Sequence, residues 1–350
     1  MRKTRIVKVG RIYIGGGHPV SVQTMTKIPT KDEKKVLGQI KKIEKAGGEI
    51  VRVSVMNKED AKAIARIKKE IELPLVADIH YDYRLAFYAI ESGADKLRVN
   101  PSNIRQDGLK MIIREAGDKK IPLRLGLNSG SVKITGRGIV SDIVDATLDA
   151  VKLCEDNHFF DIVLSVKTPY VSETINAYRV ISEKCNYPLH LGITESGQGD
   201  IGFAKSVLGI GILLSEGIGD TIRVSLTDTP EKEIKVGQAI LQALGVRRFE
   251  PEIISCPVCG RCRVPLQMTV SRLRRKILRM AKIYPEMKNL TIAIMGCSVN
   301  GPGEAKQADL GIAGGKERFV FFVKGNIIGS YSVEEIEEKF FKKIKEIANG

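Results

Sequence analysis

The chain has 350 residues and a formal net charge of +15, and this length allows one large domain of about 250 residues and a second, smaller one. The longest apolar run, residues 207–214, is far shorter than the roughly 20 residues of a membrane-spanning helix, and the alternating charged and apolar residues at the beginning do not form a secretory signal. We therefore expect a cytoplasmic protein with no membrane segment, whose basic surface attracts anionic partners.

Short β-branched runs alternate with amphipathic, Lys- and Glu-rich segments up to about residue 245. The alternation predicts strands at 20–25, 50–55, 75–78, 96–100, 123–127, 161–165, 189–193 and 221–225. Helices are predicted between them, among others at 31–46, 58–71, 83–92 and 141–157. Eight strand–helix units over about 250 residues are typical of an α/β fold of the (β/α)8 TIM-barrel type, and a doubly wound sheet is the alternative.

The repeat stops within residues 244–252, and we place a domain boundary there, between a barrel domain of residues 1–246 and a smaller domain of residues 247–350. In the second domain the pattern predicts a helix at 266–283, a strand at 291–295, strands near Leu310 and at 319–323, a turn at 324–326 and a closing helix from Val333. This order predicts a small α+β unit.

Polar side chains cluster at the carboxyl ends of the predicted strands, which in a TIM barrel form the rim where active sites are built. The set comprises Arg52, Ser54, Asp78, His80, Arg98, Asn100, Arg124, Asn128, Ser165, Lys167, His190, Glu195, Arg223 and Ser225. Several cations at one rim would repel one another without an anion between them, so the pattern predicts a phosphorylated ligand. The alternative is that the arginines only pair with acids such as Asp78, Asp95 or Asp228.

Four of the six cysteines fall in a short C-terminal stretch, at Cys256, Cys259, Cys262 and Cys297. Such spacing, in a chain without signs of export, indicates metal or redox chemistry rather than disulfides. Two residues between Cys256 and Cys259 let one loop bind a corner of a metal centre. Spacing alone leaves open whether the four thiols form a structural zinc site or contribute to an iron–sulfur cluster. The remaining thiols are predicted to be packing residues.

The motifs CPVCGR and MGCSVNGPGEA, behind a barrel with PVSVQTMT, VRVS, ADIH, LRVNP, RLGLNSGS and GITESG, closely resemble those of bacterial 4-hydroxy-3-methylbut-2-enyl diphosphate synthases of the methylerythritol phosphate isoprenoid pathway. The resemblance covers nearly the whole chain. It implies reductive ring opening and dehydration of 2-C-methyl-D-erythritol 2,4-cyclodiphosphate by two electrons delivered through a 4Fe–4S cluster. It also implies a second domain similar to the cluster domain of sulfite and nitrite reductases.

By motif position, the resemblance implies that Cys256, Cys259, Cys297 and Glu304 hold the cluster. A carboxylate ligand can be displaced by a substrate oxygen, which leaves one iron usable as a Lewis acid. Cys262 departs from the family's pattern. It either replaces Glu304 as the fourth ligand or takes no part, and we expect the second.

The resemblance assigns the substrate clamp mostly to the rim, since arginine forks suit phosphate oxygens. The implied clamp is Arg52, His80, Arg98, Asn100, Arg124, Asn128, Lys167, Arg223 and Ser225, with Asn300 reaching over from the second domain. Glu195 is the candidate carboxylate for moving a proton or stabilising an intermediate.

The resemblance also implies partners: a flavodoxin or ferredoxin electron donor, and a second copy of the chain in a homodimer where the cluster domain of one subunit covers the barrel of the other. The competing interpretation is a basic nucleic-acid-binding protein with a structural zinc ribbon. That function needs aromatic residues interleaved with basic ones. Only 5% of the residues are aromatic and none is Trp, so we expect no nucleic-acid partner.

Overall fold

The computed structural model describes residues 2–262, 264–298, 303, 305–315 and 318–348. The chain divides into two compact units, Met1–Arg247 and Arg248–Gly350. Each unit has its own sheet, and the two are described separately. None of the described helices combines the length and the apolar composition that a membrane span requires.

Within residues 2–247, eight parallel strands form the wall of a barrel. They are β3 (Ser21–Met25), β4 (Ile50–Val55), β5 (Leu75–Ile79), β6 (Lys96–Val99), β7 (Leu123–Asn128), β8 (Ile162–Lys167), β9 (His190–Leu191) and β10 (Thr221–Ile222). Their order in the sheet is β8-β7-β6-β5-β4-β3-β10-β9. A parallel bridge between Leu164 and Leu189 joins β8 to the residue before β9 and nearly closes the ring. The predicted (β/α)8 barrel is therefore confirmed, and the doubly wound alternative is wrong.

A helix follows each barrel strand. These helices are α1 (Glu33–Lys45), α2 (Lys58–Lys68), α3 (Arg84–Glu91), α4 (Gln106–Asp118), α5 (Ile139–Asp156), α6 (Val171–Lys184), α7 (Gly199–Ser215) and α8 (Pro230–Ala243). In α1 the buried residues Val36, Ile40 and Ile43 recur every three or four positions, which places them on the face that packs on the barrel. The Thr229 hydroxyl accepts a hydrogen bond from the Lys232 amide and caps α8.

A short hairpin precedes the barrel, and the sequence analysis does not predict it. Its strands are β1 (Val7–Val9) and β2 (Ile12–Ile14). Val7, Val9 and Ile14 are fully buried against Ile50, Val76 and Val163, at the beginnings of the barrel strands. The hairpin therefore packs an apolar layer at the amino end of the barrel.

The second unit is a mixed five-stranded sheet with helices. Its elements are β11 (Glu252–Ser255), α9 (Leu266–Ala281), β12 (Thr291–Met295), β13 (Leu310–Gly314), β14 (Phe319–Val323), β15 (Asn326–Tyr331) and α10 (Val333–Ala348), with a 3-10 turn at Pro285–Asn289. Strands β11 to β13 run parallel, and β13 to β15 run antiparallel. Leu273, Ile277, Phe321 and Phe340 belong to one buried core. The expected α+β unit is confirmed, although β11 and β15 are not predicted.

Candidate active site

Charged side chains line the interior of the barrel. Side chains alternate between the two faces of a strand, so every second residue points inward. Asp78 on β5 pairs in register with Arg98 on β6, and Arg98 pairs with Arg124 on β7. All three are buried, as are Arg52 and Lys167. The alternation thus gathers residues that are far apart in sequence into one charged interior.

Asp78 is the carboxylate at the centre of this group. Its Oδ1 lies 3.1 Å from Arg98 Nη1, and its Oδ2 lies 3.6 Å from Arg52 Nε and 3.5 Å from His80 Nε2. Burial by itself would raise the pKa of Asp78, but Arg52, a hydrogen bond with His80 and Arg98 together hold that pKa below its ordinary value. Asp78 is therefore ionised and orients two guanidinium groups.

The pKa of Arg52 shows the cost of this arrangement. Burial, together with the neighbouring cations Arg223 and Arg98, lowers it to about 9 against the attraction of Asp78. Arg52 also donates to the sulfur of Met25, at 3.0 Å from Nη2. One carboxylate between two buried arginines leaves excess positive charge, which a bound anion would neutralise.

A second buried carboxylate, Glu233, comes from the first turn of α8. It accepts hydrogen bonds from the Thr24 hydroxyl at 2.6 Å and the Leu226 amide at 3.1 Å. Lys27 Nζ lies 3.1 Å away, and Arg223 Nη2 lies 3.9 Å away. Glu233 was not among the site residues predicted from the sequence. The available signal was its position three residues after Pro230, at the start of the helix that follows the last strand, because such helix starts lie at the barrel rim.

The three acids that could pair with the rim arginines, Asp78, Asp95 and Asp228, differ in the groups that they contact. Asp78 does pair with two arginines, as that alternative supposed. Asp95 instead bonds Lys68, at 2.5 Å, and the Asp228 backbone carbonyl accepts a hydrogen bond from Lys27. Pairing with acids therefore accounts for Arg52 and Arg98 only in part.

Three buried cations have no carboxylate partner within the described residues: Lys96, Arg124 and Lys167. Burial lowers the pKa of each, and neighbouring cations lower it further. The Nζ of Lys96 and both ring nitrogens of His190 make no hydrogen bond within the same residues. Buried donors without acceptors are costly. This interior therefore suits an anionic ligand with several acceptor oxygens.

Lys96 was not among the predicted site residues. It is fully buried at the start of β6. The signal for it was its position two residues before Arg98, which places both on the same face of the strand.

The uncharged residues of the predicted clamp lie at the carboxyl ends of the strands. Asn100 Nδ2 donates to Ser131 Oγ at 3.0 Å, and that hydroxyl donates to the Asn128 carbonyl at 2.8 Å. The Asn100 side-chain oxygen also accepts from the Ser102 amide. Ser131 thus joins the two asparagines. Ser225 is half-buried just after β10.

Two predicted residues lie apart from the interior or cannot be placed. Glu195 is exposed, in the loop after β9, and has a left-handed backbone with φ of 51°. Left-handed backbone in a residue other than glycine is uncommon and costs energy. Asn300 lies outside the described residues.

In the second unit, two thiols lie against the backbone of Gly296. The Gly296 amide donates to Cys256 Sγ at 3.2 Å, and the Cys262 thiol donates to the Val264 carbonyl at 3.2 Å. A Cβ atom added at Gly296 would lie 2.7 Å from Cys262 Sγ and 3.5 Å from Cys256 Sγ. Gly296 therefore lets both sulfurs approach the chain immediately before Cys297, which is buried.

Cys259 is exposed, and the Arg261 amide lowers the pKa of its thiol, which favours the thiolate that binds metals. No three His, Cys, Asp or Glu side chains of the described residues come close enough together to hold a metal ion, and Glu304 lies outside those residues. Soft thiolate donors with a backbone amide directed at one sulfur nevertheless suit a thiolate-bound iron or zinc centre.

Both units match family profiles. Residues 4–238 match the GcpE TIM-barrel domain, and residues 252–346 match the GcpE protein C-terminal domain. The chain is 46% identical over 355 residues to a protein of Ruminiclostridium cellulolyticum named 4-hydroxy-3-methylbut-2-en-1-yl diphosphate synthase (flavodoxin), with 99% of this chain and 98% of the relative covered. It is 47% identical over 347 residues to a Thermotoga maritima protein of the same name, with the same coverage.

Solved structures of other enzymes share the barrel. A dihydropteroate synthase from Coxiella burnetii superposes with a TM-score of 0.52 at 15% identity, covering 71% of this chain and 100% of its own. An N-acetylneuraminic acid synthetase from Leptospira borgpetersenii gives 0.52 at 13% identity, covering 79% and 99%. At such identities the similarity concerns the fold alone.

Proposed function

The chain belongs to the GcpE family of 4-hydroxy-3-methylbut-2-en-1-yl diphosphate synthases, and from this membership we propose how its residues carry out the family's reaction. The enzyme opens the ring of 2-C-methyl-D-erythritol 2,4-cyclodiphosphate and releases water, giving the allylic diphosphate, with flavodoxin as the electron donor. Ring opening consumes two electrons and two protons. No observation on the described residues favours the nucleic-acid-binding alternative.

The observation that carries the proposal is the excess of cations in the barrel. Arg52 and Arg98 are oriented by Asp78, while Lys96, Arg124 and Lys167 have no carboxylate partner among the residues that the structure describes. Oriented guanidinium groups present paired donors that match phosphate oxygens. The diphosphate then supplies the negative charge that this interior lacks, and its oxygens accept the hydrogen bonds of donors that are otherwise unmatched.

The rim completes the clamp. Arg223 is held near Glu233, and His80 lies 3.4 Å from Arg98 Nη1, so both side chains are positioned before the substrate arrives. Asn100 and Asn128, joined through Ser131, contribute neutral polar groups beside the cations. Ser225 and Asn300 complete the proposed set. Positioning in advance lowers the entropy cost of binding.

Glu195 is the proposed carboxylate for proton handling. Glu195 is exposed on a strained loop after β9. Its side chain can therefore exchange protons with solvent, which supports this role. Glu304 is proposed both as a ligand and as a catalytic group.

Cys256, Cys259, Cys297 and Glu304 are the proposed ligands of a 4Fe–4S cluster. A bound cluster would supply one-electron transfer between flavodoxin and the substrate. The thiols of Cys256 and Cys262 beside Gly296 support a thiol-rich metal centre. The hydrogen bond of Cys262 to Val264, within its own loop, supports the proposal that Cys262 is not a ligand.

The remaining assignments follow from the family membership and are also proposals. Residues 1–246 bind the substrate, residues 247–350 hold the cluster, and a homodimer brings the cluster domain of one subunit over the barrel of the other. The location is cytoplasmic.

Electron paramagnetic resonance tests the proposal. Anaerobically reconstituted and reduced protein should contain iron and sulfide, and its spectrum should change when the cyclodiphosphate is added. The variant Arg98→Ala should keep the spectrum of the reduced protein and lose the change, because the clamp and the cluster ligands are different residues. A spectrum that ignores the cyclodiphosphate in the unaltered protein would contradict the function.

A further inference from the structure

A groove in the second unit lies beside a row of arginines on α9. It has a volume of about 500 Å³, and its walls include Val264, Met268, Arg272, Arg275 and Phe319. Met268 is 74% exposed. An apolar floor bordered by guanidinium groups is the composition that protein interfaces favour, because Met and Arg are enriched there.

The charges along this face are not balanced. Positions 268, 272, 275 and 279 follow the helical repeat and therefore lie on one face of α9. Within the part of the chain that the structure describes, Arg275 and Arg279 form no ion pair. By contrast, Arg274 bonds Glu250 at 2.7 Å, and Arg272 and Lys276 share Glu337. The face beside the groove thus has a net positive charge.

The groove adjoins the cysteines. Its wall residue Val264 accepts the hydrogen bond of Cys262, and both Val264 methyl groups lie 2.7 Å from where a Cβ of Gly314 would be. That same Cβ position is 3.1 Å from the Gly296 carbonyl, and the Gly296 amide bonds Cys256. Val264 therefore links the groove to the loop of Cys262, next to the backbone of Gly314 and Gly296. A molecule in the groove would be close to any electron carrier held there.

We propose that the α9 groove and its arginines dock the flavodoxin that donates electrons, with the acidic surface of flavodoxin against Arg275 and Arg279 and its flavin edge toward Val264. The inference rests on the proposed function, which makes flavodoxin the donor. Transient redox partners bind through small, polar interfaces, and opposite charge speeds their encounter.

Charge-reversal variants of the full-length holoenzyme test the inference. Arg275→Glu and Arg279→Glu should each raise the KM for reduced flavodoxin by about tenfold at low salt, and the double variant by more. Turnover of the cyclodiphosphate with a reduced viologen dye should be unchanged, since a small dye does not need the groove. The Kd between enzyme and flavodoxin, measured by calorimetry, should rise in parallel. The matched control is Lys342→Glu, the same charge change at an exposed residue of α10. It should leave the flavodoxin KM and Kd within about twofold of those of the unaltered enzyme.

The outcomes distinguish failure of the docking site from failure of the proposed function. Turnover with the dye, together with an unchanged flavodoxin KM and Kd in the double variant, would overturn the docking site and leave the function intact. No turnover of the cyclodiphosphate with either donor in the unaltered holoenzyme would refute the proposed function itself. An equal rise of the flavodoxin KM and Kd in Lys342→Glu would mean that flavodoxin binding depends on the overall charge of the enzyme and not on this face of α9, and would overturn the docking site. A rise of the flavodoxin KM restricted to the α9 variants supports the docking site.

Discussion

Asp78 Oδ1 lies 3.1 Å from Arg98 Nη1, and the two residues face each other in register on β5 and β6. The second oxygen of Asp78 faces Arg52 and His80. One carboxylate therefore orients side chains from β4 and β6, as well as the residue that follows β5. The proposed substrate clamp depends on this pairing, since the guanidinium groups would otherwise repel each other.

Asp78→Asn should destabilise the protein and nearly abolish turnover. The variant leaves two buried arginines without their carboxylate, which costs about 3–5 kcal/mol of unfolding free energy. Misplaced guanidinium groups should lower kcat/KM on the order of 100-fold. Urea denaturation and steady-state assays measure the two effects. Asp107→Asn, at an exposed carboxylate of α4, serves as the control, and an equal loss in that variant would contradict the role of Asp78.

Lys96→Met should stabilise the ligand-free protein and weaken substrate binding. Lys96 is fully buried and its Nζ has no hydrogen-bond partner within the described residues. A methionine of similar length removes that penalty, on the order of 1–3 kcal/mol. On the proposed function, the same change also removes a cation that the bound diphosphate would neutralise. Thermal denaturation and calorimetry test both parts. The control is Lys110→Met, at an exposed position of α4, which should change neither the stability nor the affinity for the cyclodiphosphate. A Lys96→Met protein that is less stable than the unaltered protein would refute this prediction.

Binding of the cyclodiphosphate should take up protons. Burial, with Arg124 and Arg52 nearby, lowers the pKa of Lys96 well below its ordinary 10.5, and burial likewise lowers that of Lys167. A bound dianion raises both again, so the complex holds more protons than the free protein. The Kd should therefore rise as the pH rises above the lowered pKa values.

Calorimetry in buffers with different ionisation enthalpies measures the number of protons taken up. Lys96→Met should reduce it, and Lys96→Arg should as well, since arginine retains its proton more firmly. An uptake that is the same in all three proteins would show that Lys96 does not titrate on binding.

Gly296→Ala should impair cluster assembly. The new Cβ would lie 2.7 Å from Cys262 Sγ, closer than such atoms approach, so the Cys262 side chain must rotate or the loop that carries it must shift. Iron and sulfide per chain after anaerobic reconstitution should fall. Gly296→Ala combined with Cys262→Ala removes the clashing sulfur and should recover most of the loss. If the single variant assembles its cluster normally, the close approach has no functional role.

Cys262→Ser should retain the cluster and turnover, because Cys262 bonds a carbonyl within its own loop. Cys256→Ser, altered at the neighbouring thiol in the same way, should lose both. Visible absorption and iron content provide the measurement. Loss of the cluster in Cys262→Ser would instead make Cys262 a ligand.

The sequence by itself determined the barrel and most of its rim. Alternating strand and helix patterns predicted the (β/α)8 fold, and that fold predicted that polar residues assigned to the strand ends, among them Arg52, Arg98 and Arg124, would meet at one rim. Both follow from local periodicity, which the order of residues in the chain contains directly.

Only the tertiary structure decided which charges are balanced. Glu233 meets Thr24 and Arg223 because β3 and β10 become neighbours when the ring closes, although Thr24 and Glu233 are 209 positions apart in the chain. The approach of Cys262 to Gly296, and the lack of a hydrogen-bond partner for Lys96 Nζ within the described part of the chain, depend on the same kind of long-range packing. Electrostatic balance and close contact depend on distance in space, and spacing along the chain does not determine that distance.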